Sequence, residues 1–335
     1  MRRRLRWRPP EGRIQVMTTQ DQRSLLSILD LDREALTHLV DRGLALTREF
    51  PAHQARTATV RRDDRLAGKL VGLVFTKPST RTRTSFFWAV TRMGGSCIVY
   101  DAHGLQLGNG ESLGDTAMAL SRHLDAAVVR TDGPPEELET LRRAADGMPI
   151  INALCHREHP TQAIADLITI KHEFQSFSGV HALYVGLPCN TMRSLVLAAA
   201  RVGLRLTVLD PSAGTDDGWL REAVVRADPG GVVRFARRWE EVEAPVDVVY
   251  TTRWESMGHP PAFDGWRELR PAYALDEARV ARLLSPRGIV LHDLPATRGG
   301  EVTDGVLDGP RSRIRAQSFN KGISAVVALE RALAD

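Results

Sequence analysis

Leu70-Val71-Gly72-Leu73-Val74-Phe75-Thr76-Lys77-Pro78-Ser79-Thr80-Arg81-Thr82-Arg83-Thr84-Ser85-Phe86 is the stretch on which the fold turns. Its first six residues form a continuous apolar run, the mark of a strand covered on both faces rather than on one. Pro78 ends that run, and a helix is expected over 79–93. Outward from there the alternation continues. Cys97-Ile98-Val99-Tyr100 and Ala126-Ala127-Val128-Val129 read as further strands, with helices near 111–123 and 135–145. Upstream, Ala35, Leu36, Leu39, Val40 and Leu44 recur at helical spacing behind Asp32, a capping residue. A long helical segment at 160–174 precedes a second set of strands at Leu183-Tyr184-Val185, Leu206-Thr207-Val208-Leu209, Val248-Val249-Tyr250 and Ile289-Val290-Leu291, and a closing helix spans 322–333. Strands separated by helices predict α/β architecture: two doubly wound parallel-sheet domains joined by long helices. In such folds ligands bind beyond the carboxyl ends of strands.

The strand-to-helix handover at Thr76–Phe86 is chemically loaded. Free backbone N–H groups and the positive dipole end meet there, which suits an anion. The hydroxyls and guanidiniums of Ser79, Thr80, Arg81, Thr82 and Arg83 add donors fitted to phosphate. It is not a Walker loop, because the Gly-Lys pair is missing. On these residues alone, a hydroxylic helix cap followed by a solvated charge pair stands beside the phosphate reading.

Composition narrows the field. The 335 residues are 43% hydrophobic and 26% charged, which excludes collagen, coiled coil and wholesale disorder and leaves room for about two domains. The net charge of +4 is local: residues 1–16 hold six arginines and one acid, so the remaining 319 sum to −1. Residues 1–20 are therefore expected to be a flexible basic extension, and neither nucleic acid nor membrane is expected as a partner. No apolar run reaches the length of a spanning helix. Cys97, Cys155 and Cys189 make neither a disulfide framework nor a metal-ligand spacing, and a reducing cytoplasmic setting suits them. No Gly-x-Gly-x-x-Gly follows a strand, which counts against a nicotinamide dehydrogenase.

Several motifs together resemble the aspartate and ornithine carbamoyltransferases, closest to the ornithine type. Ser79-Thr80-Arg81-Thr82-Arg83 is similar to the family's carbamoyl-phosphate motif. His159-Pro160-Thr161-Gln162 ahead of Ala165-Asp166-Leu167 is similar to its second. Gly108-Asn109-Gly110-Glu111-Ser112 resembles the ornithine-type loop between them, and Gly186-Leu187-Pro188-Cys189-Asn190, Asp247-Val248-Val249-Tyr250 with Trp254 and Ser256-Met257-Gly258, and His292-Asp293-Leu294-Pro295 follow in the family's order. The resemblance runs from about Leu25 to Leu329. It implies a carbamoyl-phosphate domain at 21–155, completed by a helix at 318–335, and an amino-acid domain at 156–317. It further implies that Ser79, Thr80, Arg81 and Thr82 hold the phosphate, that Arg130, His159 and Thr82 polarise the carbonyl, and that Gln162 and the Leu294 carbonyl hold the carbamoyl amide. Gln106 falls where a neighbouring subunit lends a glutamine, so a homotrimer follows. A cytoplasmic enzyme of arginine biosynthesis is implied, without a metal or redox cofactor.

The acceptor half departs from the ornithine pattern. Asn190, Ser256 and Met257 match, whereas Thr252 stands for an aspartate, Asp293 for a cysteine, Lys321 for an arginine and Arg193 for a histidine. Arg253 is instead similar to an arginine of aspartate enzymes. Two expectations stand side by side: ornithine or a related diamino acid as acceptor, or a different amine of specialised metabolism whose ammonium meets Asp293 and whose acidic group meets Arg253. A non-catalytic homologue is the remaining alternative.

Overall fold

The computed structural model describes residues 23–50, 64–102, 104–212, 218–227, 230–255 and 265–333. The basic extension, Ser256 and Met257 lie outside the described residues. The first unit runs α1 (Arg33–Glu49), β1 (Leu70–Phe75), α2 (Thr80–Arg92), β2 (Ser96–Asp101), α3 (Leu113–Ser121), β3 (Ala126–Arg130), α4 (Pro135–Ala144) and β4 (Ile150–Leu154). After α5 (Pro160–Phe174), the second unit runs β5 (His181–Val185), α6 (Asn190–Val202), β6 (Arg205–Leu209), α7 (Gly218–Ala227), β7 (Val233–Ala236), β8 (Val246–Thr251), α8 (Trp266–Tyr273), α9 (Glu277–Leu283), β9 (Leu284–His292), α10 (Asp304–Asp308) and α11 (Ile314–Leu333).

Both sheets are parallel, ordered β2-β1-β3-β4 and β7-β6-β5-β8-β9. Strand order reverses between β1 and β3 in the first and between β5 and β8 in the second. At such a point the two following loops diverge and leave a crevice at the carboxyl ends. Val71, Leu73 and Phe75 are almost wholly buried, as the continuous apolar run required. Asp32 caps α1 as expected, accepting from the Ala35 amide at 2.8 Å.

α5 is buried over its whole first eleven residues, Pro160 to Ile170, because α1, α6 and α11 pack around it. Gly43 permits the α1 approach: a Cβ there would sit 2.4 Å from Ile168 Cδ1. α11 returns from the second unit to pack on α1, α2 and α5. It begins at Ile314, well before the expected 322, since buried Gln317, Asn320 and Lys321 interrupt its apolar periodicity. β4 and β7 were not foreseen. Asn152 breaks the apolar run of β4, and β7 is a short, half-exposed edge. β2 is also an edge, with Ile98 and Val99 about 40% exposed.

Candidate active site

The two reversal points face each other across a cleft of about 280 Å³. One wall carries Ser79, Thr80, Arg81 and Thr82 from the start of α2, Arg130 at the end of β3 and Asp132 just beyond it, His159 before α5, and Lys321 from α11. The other carries Asn190 and Thr191 from α6, Thr252, Arg253, Trp254 and Glu255 after β8, and Asp293 and Leu294 after β9.

The first wall is built for an anion. Ser79 caps α2 without spending its hydroxyl on a backbone amide, so the first-turn N–H groups remain available. Arg81 and Arg83, two residues apart, diverge on the helix: Arg81 lines the cleft and Arg83 lies over the Phe75 ring at 5.4 Å. Arg130 donates from Nη1 to Thr82 Oγ1 at 3.2 Å, while its buried Nε has no partner. Burial first, then Arg81, pushes the Arg130 guanidinium down to about 10, against the pull of Asp293. Burial likewise lowers Arg81. His159 is fixed by its backbone N–H on Ser194 Oγ at 2.8 Å. Burial, then Lys321 and Arg130, holds its ring well below the usual histidine range, so the imidazole is neutral and can donate to an oxygen.

Behind this wall runs a buried polar chain that the sequence did not disclose. Lys321 Nζ donates to Gln162 Oε1 at 2.5 Å, and Gln162 Nε2 donates to Asp166 Oδ1 at 2.8 Å. Asp166 also accepts from Gln317 Nε2 at 2.7 Å and Tyr250 OH at 3.1 Å. Burial pushes Lys321 down to about 8 and Asp166 up to about 7. Gln162 is fully buried behind Lys321 and does not line the cleft.

On the second wall Asp293 is clasped. Its Oδ1 accepts from Thr252 Oγ1 at 2.6 Å and its Oδ2 from Thr191 Oγ1 at 2.9 Å. Leu294 has φ +56°, a left-handed conformation that costs a non-glycine residue about 1–2 kcal/mol. Its N–H is held by His292 Nδ1 at 2.9 Å, and His292 Nε2 lies 3.2 Å from buried Glu301. Asn190 spends one amide N–H on the Cys155 carbonyl at 3.1 Å. Arg253 pairs with Glu255, yet its buried Nε is unpartnered. Gln106 lies apart: it is exposed on a short turn, accepts from Asn109 Nδ2 at 2.6 Å and does not line this cleft. Thr191, Asp132, Trp254 and Glu255 were not singled out as binding residues; Thr191 directly follows the Asn190 motif residue, and Trp254 and Glu255 lie between Arg253 and Ser256, which were.

Such a cleft belongs to a two-domain α/β enzyme of two substrates, an anion on one sheet and a second molecule on the other. Residues 23–172 match the aspartate/ornithine carbamoyltransferase carbamoyl-P binding domain, and residues 178–329 match the family's Asp/Orn binding domain. The chain belongs to the aspartate/ornithine carbamoyltransferase family. An ornithine carbamoyltransferase of Gloeobacter violaceus is 38% identical over 308 residues, covering 90% of this chain and 93% of that protein. One from Parafrankia sp. is 42% identical over 262 residues, covering 76% and 80%. The solved ornithine carbamoyltransferase of Pyrococcus furiosus superposes with a TM-score of 0.83 at 30% identity, over 93% of this chain and 97% of that one.

Proposed function

We propose that this enzyme transfers the carbamoyl group of carbamoyl phosphate to the side-chain amine of ornithine, forming citrulline and releasing phosphate. The observation that carries the reading is the cationic wall of Arg81, Arg130 and Lys321 opposite the clasped carboxylate of Asp293, within a chain whose full-length relatives are ornithine carbamoyltransferases. No observation favours a non-ornithine acceptor or a non-catalytic homologue.

In this reading Ser79, Thr80, Arg81 and Thr82 bind the phosphate, with the α2 amides and the Arg81 fork meeting its oxygens. Arg130, neutral His159 and Thr82 donate to the carbonyl oxygen, where charge gathers as the tetrahedral intermediate forms. The Leu294 carbonyl holds the carbamoyl amide, with Gln162 acting through Lys321. Asn190, Thr252, Ser256, Met257 and Asp293 position the amine. The neutral amine attacks, the new N–C bond forms, and the C–O bond to phosphate breaks. The displaced phosphate takes the amine proton, so no separate base is needed.

We read domains at 21–155, completed by 318–335, and at 156–317; the separation of the two sheets, β1–β4 and β5–β9, supports this reading. We further read a homotrimer in which Gln106 serves a neighbouring cleft. Its exposure and the exposed Phe87, Ile98, Val99 and Met118 of the first unit support this. A cytoplasmic place in arginine biosynthesis accords with three free cysteines and with the absence, among the described residues, of any helix long and apolar enough to cross a membrane. The test is incubation with carbamoyl phosphate and ornithine, with citrulline and phosphate measured together. Equal release of both supports the reading, and phosphate release that ornithine does not stimulate overturns it.

A further inference from the structure

Next to His159 lies a carboxylate that the transfer chemistry does not use. Glu158 is buried and does not line the cleft. It stands in the tight turn between β4 and α5, where the Cys155 N–H donates to the Glu158 carbonyl at 2.9 Å and the Glu158 N–H meets Cys155 Sγ at 3.4 Å. Its Oε1 accepts from the Ser27 hydroxyl at 2.5 Å, and its Oε2 from the Ile28 N–H at 3.1 Å and the Ser194 hydroxyl at 3.3 Å. All three donors are neutral, so hydrogen bonds alone offset the burial of a charge. An uncharged residue of similar size would avoid that cost. Burial, with Asp30 adding to it, pushes the carboxyl up to about 7 against these donors, so it is ionised at about pH 8.5.

We propose that Glu158 is a positioning residue for His159: acting through Ser194, it fixes the backbone from which the imidazole enters the cleft. This rests on the carbamoyl-transfer reading, in which that ring donates to the carbonyl oxygen, and adds the group that sets its place. The segment carrying Ser27 and Ile28 is itself anchored. Leu25 pairs in parallel with Ile151 of β4, Leu25 and Ile28 are fully buried, and Asn152 Nδ2 donates to the Leu26 carbonyl at 2.7 Å. Two of the three donors to Glu158 are thus fixed, and the third faces the histidine. Ser194 Oγ accepts the His159 backbone N–H at 2.8 Å. With its own proton turned to Glu158, that hydroxyl presents a lone pair to the His159 amide, and each bond polarises the next. His159 sits at the start of α5 with non-helical φ −134° and ψ 71°. Among the described residues, its ring has one side-chain neighbour near hydrogen-bond reach, Thr161 Oγ1, 3.5 Å from Nδ1 and at the limit of such a contact. The ring is placed by its backbone, and the backbone by Ser194. Because Ser194 lies on α6 with Asn190 and Thr191, the same link ties the histidine to the acceptor wall.

The experiment is a pair of double-variant cycles read in kcat at about pH 8.5, with carbamoyl phosphate and ornithine saturating and melting temperatures taken alongside. Ser194→Ala cuts the link, and Glu158→Met removes the acceptor at similar size. Each is expected to lower kcat about tenfold with little change in either KM. Glu158→Gln, whose amide oxygen can keep the Ser194 and Ile28 bonds, should recover part of that loss. In a His159→Gln background the same substitutions should change kcat by less than about twofold, because the ring they position is gone. A merely structural residue would lower the melting temperature and leave kcat per folded molecule unchanged. Losses as large in the His159→Gln enzyme as in wild type overturn the proposal, as does a wild-type kcat in Ser194→Ala. If Glu158→Met does not fold, the Ser194→Ala cycle decides alone. If wild type forms no citrulline, the transfer reading falls first and the positioning role with it.

Discussion

Lys321 is a buried ammonium on the cationic wall of the cleft, and that makes its charge a reporter of anion binding. Its desolvated Nζ touches Gln162, and burial moves it from 10.5 to about 8; Arg130 and Arg81 push in the same direction, Asp293 and Asp166 in the other. In the unfolded chain the lysine keeps its proton until near 10.5. Between those limits the unfolded state therefore binds more protons, and the empty protein gains stability as pH rises through that window. Keeping the ammonium charged at neutral pH costs the empty fold about 3 kcal/mol. An arriving dianion reverses the balance and draws the proton back. Affinity for a carbamoyl phosphate analogue with a methylene in place of the bridging oxygen should thus fall as pH rises above about 8, by about tenfold from pH 8.5 to 9.5. Calorimetric titration in two buffers of different ionisation heat would show uptake approaching one proton in that range. His159 is already neutral there, and Arg130, at about 10, begins to lose its proton only at the upper edge of that range. Lys321→Arg carries a permanent charge and should flatten the profile. A flat wild-type profile, or the same slope in Lys321→Arg, would refute the reasoning.

Arg81→Ala should lower kcat/KM by at least about hundredfold while leaving the melting temperature near wild type, since Arg81 lines the cleft rather than the core; near-normal turnover would remove Arg81 from the chemistry. Glu158, pushed up to about 7 by burial, accepts from Ser27 Oγ, the Ile28 amide and Ser194 Oγ. Its folded form holds a proton that the unfolded form has lost, so stability should decline from about pH 4.5 to 7, and Glu158→Gln should reduce that slope in melting curves. Asp293→Cys alone should weaken ornithine use about tenfold, and adding Thr252→Asp should recover it, because the two positions meet at 2.6 Å and the carboxylate is returned to the same place from the other strand. Additive losses in the double variant would deny that exchange.

What could be read in advance follows from locality. β1 and α5 were legible to the residue, since an unbroken apolar run and a helix bounded by Pro160 carry their own ends. Arg81, Arg130, His159, Asn190, Thr252 and Asp293 were legible through the motifs that resemble the family, and the parallel sheets explain why they meet, since the carboxyl ends of the strands open on one cleft. β4 was missed where a buried Asn152 serves the Leu26 carbonyl and Cys155, a long-range need that breaks local periodicity. The first two turns of α11 were missed for the same reason: Gln317 is polar there because it bridges Asp166 on α5 and His292 on β9.

That bridge shows why the illegible part bears on the site. Asp166 gathers Gln162, Gln317 and Tyr250 from three elements, so the wall that holds Lys321 is tied to β8 and, through Gln317, to β9. Removing any one partner leaves a buried polar group unsatisfied, at about 1–3 kcal/mol. Arg81, Arg130 and Lys321 repel one another along one wall, which adds to the larger effect of burial in lowering Arg130 and Lys321. A satisfied network behind them holds the cations in place before the anion arrives, and binding then relieves the repulsion without having to order the site.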